Sequence, residues 1–409
     1  MTAPGHERGP RRVFVSIAYA PAVAEPRVRR QCESLARAGW RVIQVGLAQR
    51  DEARTGRRNG VVYLRMPQRR YRGSAVWRYA WEYLAFSWRA TRVLRRILRR
   101  GPVDVVQVTN VPDALIFAAR SARRRGAGLI LDIRDPLPEF FLSKFGHRWF
   151  GLAGYRAAVF EERWASGTAD LVFTANEIHR RRTEAHGVAH HKVHVVPNYA
   201  DATVCPMQAP RCSNRVIAYH GTVAPRMGLD LVMRAVARLG QAGVPLRFLI
   251  FGDGDGVAPL QALRDRLALG DQVSVSGDRF QIEEVAGRLQ PVGLGIVSLQ
   301  RDALTDLFLS MKLLEYVRLG IPAVVTWTPT LGHYFPDDSV FFVRESSVDA
   351  WADAIRTAVG DPLGAQARAR RAQALPVARP WQDAEADYLA MVERAAGLHR
   401  DFHRSGTRH

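Results

Sequence analysis

Lys312 and Glu315 lie three residues apart within segment 310–322, whose apolar residues recur with helical spacing. Side chains three apart share one face of a helix, and Lys312 near the helix start would add a cation to the positive end of the dipole. The pair suits a nucleotide, because Lys312 can bind a diphosphate and Glu315 can accept hydrogen bonds from two ribose hydroxyls. On spacing alone, an exposed Lys–Glu surface pair is the alternative.

A second group of phosphate-binding candidates follows a short apolar run that ends at Tyr219. Gly221 and Thr222 come directly after it, and Arg226 precedes a helical pattern. Glycine lets the backbone approach a ligand closely, and a guanidinium can hold a phosphate through two hydrogen bonds. The alternatives are a tight turn with a solvated arginine, and a His220 ring that is simply buried and satisfied.

Gly252 and Gly254 follow another apolar run in the order Phe-Gly-Asp-Gly-Asp. The spacing fits neither the dinucleotide fingerprint nor a P-loop, so it indicates a close backbone approach to a ligand or an ordinary turn. The chain has no HExxH motif, no nucleophile elbow and no paired cysteines, which argues against a metallohydrolase, an esterase or a zinc site. We expect no metal and no other cofactor.

The elements that must position these residues read as two successive α/β patterns. Apolar runs alternate with helical patterns along each half, as in buried parallel strands. The first pattern has runs at 13–17, 41–45, 105–108, 129–132, 171–174 and 193–196. After a break at 198–214, the second has runs at 215–219, 247–251, 273–275, 293–297 and 323–326. Two doubly wound domains facing a central cleft are predicted, with ligands at the carboxyl ends of the strands.

The domain boundaries follow from these patterns. We predict a disordered leader at 1–10, an N-terminal domain at 11–200 and a C-terminal domain at 213–378. A helix at 380–400, which follows a Pro-Trp break, could cross back to the first domain. The leader lacks the apolar core of a signal peptide, and no run approaches the ~18 apolar residues of a membrane-spanning helix. A cytoplasmic protein is expected.

Charge is concentrated in one part of the N-terminal half. The chain carries 59 Lys and Arg against 39 Asp and Glu, and eleven arginines but a single acid, Glu82, lie between Arg65 and Arg100. A helix is predicted at about 72–100, with Trp77, Trp81 and Trp88 among the arginines. Such a helix suits an anionic membrane surface, here the inner face of the plasma membrane. The alternative is that the tryptophans pack on the domain's own sheet. No RRM, KH or HTH pattern supports nucleic acid as a partner.

Taken together, these segments resemble family 4 glycosyltransferases, in particular those of bacterial surface-polysaccharide assembly. The resemblance is carried in order by 25–30, 110–114, 132–139, 198–201, 220–222, 226–230 and 310–322, a span of about 300 residues. It implies a GT-B fold with two Rossmann-like domains. It also implies retaining transfer of sugar from a UDP- or GDP-linked donor to a saccharide acceptor, which we expect to be lipid-linked. The leaving phosphate could itself take the acceptor's proton, so that no protein nucleophile is required.

The resemblance also assigns residues to the site. Arg226 and Lys312 would bind and stabilise the diphosphate, and Glu315 would hold the ribose. The remaining donor-binding candidates are Gly221, Thr222, Gly252, Gly254, Arg279, Phe280, Asp306 and Ser310. Acceptor or cleft candidates are Arg27, Arg30, Asn110, Arg134, Asp135 and Glu139. A solvated helix face is the alternative for Arg27 and Arg30, and a capping or cleft-lining role is the alternative for Glu139.

Two positions depart from the family pattern. Leu307 stands where the family often has a glutamate eight residues before Glu315, so Asp306 or a backbone amide near Ser310 would have to replace it. Arg134 stands where the subgroup often has histidine, and it would either pair with Asp135 or bind an anionic sugar or acceptor. Two other functions stay open: a UDP-sugar epimerase of the same fold, and a non-catalytic module that binds nucleotide sugar or membrane.

Overall fold

A computed structural model describes residues 11–23, 25–49, 52–68, 76–146, 148–278 and 282–399. The chain divides into two compact units. Unit 1 comprises the described residues up to Pro197 and those from Glu385 onward, and unit 2 comprises Asn198–Ala384. The predicted leader at 1–10 lies outside the described residues.

Unit 1 is built on one largely parallel sheet. Its strands are β1 (Val13–Pro21), β2 (Arg41–Leu47), β3 (Thr55–Arg58), β4 (Val61–Met66), β5 (Val105–Thr109), β6 (Gly128–Ile133), β7 (Leu171–Thr174) and β8 (Val193–Val195). The order is β3-β4-β2-β1-β5-β6-β7-β8, and among the described strands β3 alone pairs antiparallel, with β4. β5 and β6 are buried along their whole length, which explains why most of their residues are apolar.

Helices cover this sheet. They are α1 (Pro26–Arg37), α2 (Val76–Leu98), α3 (Arg120–Arg123), α4 (Leu137–Phe145), α5 (Trp149–Thr168) and α6 (Glu177–Ala185), and a 3-10 helix spans Asp113–Ala119. α2 buries Phe86, Ala90 and Leu94 in the core of the unit. The four-residue spacing of these three places them on one face of the helix.

The alternative that the α2 tryptophans pack on the sheet is wrong for Trp81 and Trp88, the two whose side chains the structure describes. Trp81 is 69% exposed and Trp88 is 55% exposed. Phe86, Ala90 and Leu94 already occupy the face toward the sheet, so the tryptophans lie on the other side of the helix. No helix among the described residues is both long enough and apolar enough to span a membrane.

Unit 2 repeats the architecture with a fully parallel sheet. Its strands are β9 (Val216–His220), β10 (Arg247–Phe251), β11 (Val273–Val275), β12 (Leu294–Val297), β13 (Ala323–Thr326) and β14 (Phe341–Val343), in the order β11-β10-β9-β12-β13-β14. Its helices are α7 (Leu229–Gln241), α8 (Val257–Arg266), α9 (Val285–Arg288), α10 (Met311–Arg318), α11 (Pro329–Tyr334), α12 (Val348–Gly360) and α13 (Pro362–Gln373).

The last helix, α14 (Trp381–Gly397), belongs mainly to unit 1. Tyr388 is buried, and its hydroxyl donates a hydrogen bond to Oε1 of Gln107 on β5 at 2.9 Å. Ala395 lies against Gly128 at the start of β6, so closely that a Cβ on Gly128 would meet the Ala395 carbonyl oxygen. A chain segment more than 180 residues beyond β8 therefore completes the core of unit 1.

Candidate functional site

The candidate site lies at the carboxyl end of β9. This strand pairs with β10 on one side and β12 on the other. The sheet therefore continues from β9 through β10 and β11 on one side and through β12, β13 and β14 on the other. Ligands of doubly wound sheets bind at the carboxyl ends of strands at such a point. His220 ends β9 and Gly221 follows it.

The backbone after β9 is held against the loop after β10 with no room for side chains. Gly221 donates its N–H to the Phe251 carbonyl at 2.9 Å. A Cβ on Gly252 would lie 1.9 Å from the Gly221 oxygen, and one on Gly254 would lie 2.1 Å from the Val223 oxygen. The φ angles of Gly252 and Gly254 are +145° and +155°, a region that favours glycine. These glycines thus allow two backbone segments to approach each other closely, whereas the approach to a ligand stays a prediction.

Lys312 and Glu315 stand on α10, and both turn toward β9. Lys312 is in the first turn of the helix, as predicted. A Cβ on Gly221 would lie 3.0 Å from Cε of Lys312, and the ammonium lies over the Tyr219 ring, 5.0 Å from its centroid. Enclosure by these groups lowers the pKa of Lys312 to about 8, an effect that Glu315 opposes and Arg226 reinforces. The exposed surface pair is therefore the wrong alternative for these two residues.

Glu315 is 6% exposed and has His220 beside it. Nε2 of His220 lies 3.3 Å from Oε2 of Glu315, and the imidazole meets the Tyr316 ring edge-on with centroids 4.9 Å apart. Burial, with the nearby Lys312 charge, lowers the pKa of His220 to about 3. A neutral imidazole at this place can hydrogen-bond the carboxylate and fix its direction. His220 is buried, as its alternative predicts, but that alternative also expected a satisfied ring, and Nε2 makes no hydrogen bond with the described residues.

Arg226 lies in the short turn before α7 and is exposed. Its backbone carbonyl accepts a hydrogen bond from Gln300 N at 2.8 Å, which ties the turn to the segment after β12. Gly228 follows with φ +61° and caps the start of α7. An exposed guanidinium and a helix start side by side are suited to an anion.

The other donor-binding candidates are placed less directly. Thr222 is exposed after β9, and Ser310 is the residue that precedes α10. Asp306 is engaged in a two-bond ion pair with Arg301, at 2.9 and 3.0 Å, and Leu307 beside it is buried. The Asp306 carboxylate, which would have to replace the family glutamate, is thus already paired with the Arg301 guanidinium. Arg279 and Phe280 lie outside the described residues.

In unit 1 the predicted acceptor residue Arg27 is held in a buried ion pair. Arg27 on α1 makes two hydrogen bonds to the Asp132 carboxylate, at 2.9 and 2.7 Å, and one to the Val196 carbonyl at 2.6 Å. Arg27 is 4% exposed and Arg30 is 8% exposed. The alternative that Arg27 and Arg30 lie on a solvated helix face is therefore wrong. The Arg27–Asp132 pair ties α1 to the end of β6, which is a positioning role.

Asn110, at the end of β5, organises the loop after β6. Its side-chain oxygen accepts hydrogen bonds from the backbone N–H groups of Arg134 and Asp135, at 2.9 and 3.2 Å. The Arg134 guanidinium pairs with Asp135 at 2.8 Å and with Glu25 at 2.6 Å. Although burial alone would lower the pKa of Arg134, these two carboxylates raise it above its ordinary value. The ion-pair alternative for Arg134 is present, with Glu25 as a second partner.

Glu139 belongs to a buried cluster that the sequence did not single out. His186 lies between two carboxylates, with Nδ1 2.8 Å from Glu162 and Nε2 3.4 Å from Glu139. The Tyr155 hydroxyl lies 3.0 Å from the same Nε2. Burial alone would lower the pKa of His186, but the carboxylates outweigh it and raise the pKa to about 9. These residues come from α4, α5 and the end of α6, so no local spacing could have revealed the cluster.

The unit 2 site combines two cations, a buried carboxylate and glycine-lined backbone around one strand end. Lys312 and Arg226 can oppose the charge of a diphosphate, and Glu315 can accept hydrogen bonds from hydroxyl groups. No group of three or more metal-ligating side chains is found in the part of the chain that the structure describes. Side chains of these types can together bind a phosphorylated, hydroxyl-bearing ligand.

Comparisons with known proteins place both units in one class. A family profile described as "Glycosyl transferase 4-like domain" matches residues 24–199, and one described as "Glycosyl transferases group 1" matches residues 214–361. An alpha-D-kanosaminyltransferase of Streptomyces kanamyceticus is 26% identical over 184 residues, which is 45% of this chain and 46% of that protein. The match thus spans about half the length of this relative.

Solved structures agree on the fold over nearly the whole chain. Sucrose-phosphate synthase from Thermosynechococcus elongatus superposes with a TM-score of 0.72 and 16% identity, covering 94% of this chain and 98% of that one. An alpha,alpha-trehalose 6-phosphate synthase from Burkholderia multivorans gives a TM-score of 0.73 and 13% identity, covering 98% and 100%. The predicted GT-B fold of two α/β domains is confirmed. The chain belongs to the family 4 type of glycosyltransferases.

Proposed function

We propose that the protein transfers a sugar from a nucleoside diphosphate sugar to a saccharide acceptor with retention of anomeric configuration. The observation that carries this proposal is the convergence of Lys312, Glu315 and Gly221 at the end of β9, with Arg226 on the following turn. Two cationic side chains suited to a diphosphate and one carboxylate suited to ribose hydroxyls thus belong to unit 2.

The chemistry assigned to these residues is stabilisation of a leaving group. As the bond between the anomeric carbon and the β-phosphate oxygen breaks, its electron pair passes to the diphosphate, and Lys312 and Arg226 oppose the added charge. The acceptor hydroxyl oxygen attacks the anomeric carbon from the face that the phosphate leaves. Its proton passes to a phosphate oxygen, so atoms and charge balance without a protein nucleophile. Glu315, which lies beside neutral His220, binds the ribose hydroxyls.

The donor is proposed to be UDP- or GDP-linked. UDP is the first to test, because a structural relative from Anabaena was solved with UDP and glucose and one from E. coli with UDP-2-fluoro glucose. We further propose a lipid-linked saccharide acceptor in polysaccharide or glycoconjugate assembly at the inner face of the plasma membrane. The exposed arginines of α2 support an anionic membrane surface as the place of reaction.

Nucleotide binding tests the site directly. Isothermal titration of the full chain with UDP, GDP and ADP, without added metal, should show binding of one diphosphate. Lys312→Ala and Arg226→Ala should each weaken it by about 10- to 100-fold, since each removes a charge-assisted contact worth about 1.5–3 kcal/mol. Arg234→Ala, which removes an exposed arginine of α7, is the matched control and should bind normally. Absence of binding to all three nucleotides by folded protein would refute the proposed function.

Stereochemistry can be tested before the acceptor is known. Transferases hydrolyse their donor slowly, so proton NMR of the wild-type protein with the accepted donor should show the released sugar first in the donor's own anomeric configuration. The opposite anomer would contradict retention. A new epimer of the sugar, formed without net transfer, would instead identify an epimerase.

A further inference from the structure

α5 presents to solvent a face that combines large apolar side chains with arginines. Trp149 is 80% exposed, Phe160 is 69% exposed and Trp164 is 52% exposed. Arg156 and Arg163, also exposed, lie between them. Spacings of three, four and seven residues place this set along one side of the helix. Tryptophan is usually well covered in a folded protein, so a helix side that exposes two of them requires a partner.

α2 has an exposed side of the same composition, and both helices contact the 3-10 helix Asp113–Ala119. Phe117 on that helix stacks on Trp164 of α5 with ring centroids 4.2 Å apart. The Arg120 guanidinium lies over both rings, 4.3 Å from the Phe117 centroid and 5.7 Å from that of Trp164. On α2, Arg92 lies over Trp88, 3.6 Å from its centroid.

Neither α2 nor α5 has a fully exposed acid among its described residues. The acids of α2 and α5 are Glu82, Glu161 and Glu162, and each is used toward the protein interior. Glu82 accepts a hydrogen bond from the Tyr19 hydroxyl at 2.7 Å, Glu161 accepts one from Ala114 N at 2.9 Å, and Glu162 contacts His186. The exposed basic residues of the same elements and of α3 and α4 are Arg78, Arg92, Arg95, Arg96, Arg120, Lys144, Arg156 and Arg163.

We propose that these exposed sides of α2 and α5, called here the aromatic–arginine face, bind the surface of an anionic lipid bilayer. Tryptophan and phenylalanine insert at the level of the head groups, while arginines meet the lipid phosphates. A second copy of the chain would present the same positive charge and be repelled. Nucleic acid would satisfy the arginines, but it offers no apolar layer for side chains such as Leu84 and Phe160, which are 66% and 69% exposed.

Vesicle flotation of the full chain tests this inference. Wild-type protein should float with vesicles of phosphatidylcholine containing about one third phosphatidylglycerol, and at least about tenfold less with phosphatidylcholine alone. Raising the salt from about 0.1 M to 0.5 M should release it, because the Debye length falls. Brominated lipids should quench the tryptophan fluorescence of the bound protein.

Two double variants and their controls separate the contributions. Trp81→Ser with Trp149→Ser removes the two most exposed tryptophans of the face and should clearly reduce the quenching, and Arg95→Glu with Arg156→Glu should weaken flotation at least about tenfold. Leu363→Ser and Arg234→Glu alter exposed residues of unit 2 and should leave flotation unchanged.

Three results would overturn the inference: no flotation of folded wild-type protein at low salt, flotation equal in both double variants and wild type, or binding of RNA without binding of vesicles. This inference rests on the proposed function, in which the acceptor is lipid-linked. Each variant is therefore also titrated with the nucleotide that the wild type binds. Normal titration with lost flotation locates the defect on the membrane face, whereas normal flotation without nucleotide binding contradicts the proposed function alone.

Discussion

Among single residues, Lys312 is the one whose ionisation ties the structure of the site to nucleotide binding. Burial lowers its pKa to about 8, and a bound diphosphate would raise it again. The free protein therefore loses this proton at a lower pH than the complex does. Above about pH 8, nucleotide binding must take up a proton, so the affinity should fall as the pH rises.

The expected result is a Kd that increases by up to about tenfold per pH unit between pH 8 and 9.5, the slope of one linked proton. Titration calorimetry in buffers of different ionisation enthalpy measures the proton directly. Lys312→Arg keeps the charge with a pKa above about 12, so this variant should still bind and should lose the pH dependence. A wild-type Kd that is constant over this range would show that Lys312 does not contact the diphosphate.

Local spacing was enough to place Lys312 and Glu315 on one face of a helix, because both residues lie on α10. It was not enough for residues whose partners are distant in the chain. Arg27 pairs with Asp132, 105 positions away, and Arg134 pairs with Glu25. Such partners are set by the strand order of unit 1, which brings the ends of β1, β5 and β6 together. The sequence names the charged residues but not which charges neutralise each other.

At the scale of elements, most strands were predicted from the sequence and three were not. β5, β6 and β13 are fully buried and mostly apolar, as is typical of parallel strands. β4 and β14 were missed although both are largely apolar, and β3 was missed because Thr55–Arg58 is polar and mostly exposed. It lies at the sheet edge, where pairing with β4 rather than burial fixes it as a strand.

The glycines of the β10 loop give an element-scale prediction. Gly252→Ala should lower the free energy of unfolding by about 2–4 kcal/mol, because the added Cβ meets the Gly221 carbonyl and the backbone is in a glycine region. Gly243→Ala is the control: its φ is +77° but no atom lies within 4 Å of the new Cβ, so about 1–2 kcal/mol of backbone strain is expected.

Urea unfolding of the two variants measures the difference, and nucleotide titration shows whether the loop has moved. Gly252→Ala should also weaken nucleotide binding, since the carbonyl it displaces adjoins Lys312. Equal losses of stability in the two variants would mean that the loop after β10 yields easily and does not hold the β9 end in place.

For the whole molecule, the placement of α14 means that unit 1 is not continuous in sequence. The described residues up to Pro197 form its sheet, unit 2 follows, and residues from Glu385 onward return to cover it. Unit 1 can thus reach its final core only after all of unit 2 has been synthesised. Nucleotide binding, in contrast, is assigned to residues of unit 2 alone.

Tyr388→Ala should therefore weaken one unit and spare the other. It removes a buried ring and its hydrogen bond to Gln107, which should lower the stability of unit 1 by about 3–5 kcal/mol. Hydrogen exchange followed by mass spectrometry should show faster exchange in peptides of β5, β6 and α1, with unchanged rates in β9 and β10 and a normal nucleotide titration. Arg394→Ala, at an exposed position of α14, should change neither unit. Faster exchange throughout both units would instead mean that they unfold as one, in which case α14 stabilises the nucleotide site as well as the sheet it covers.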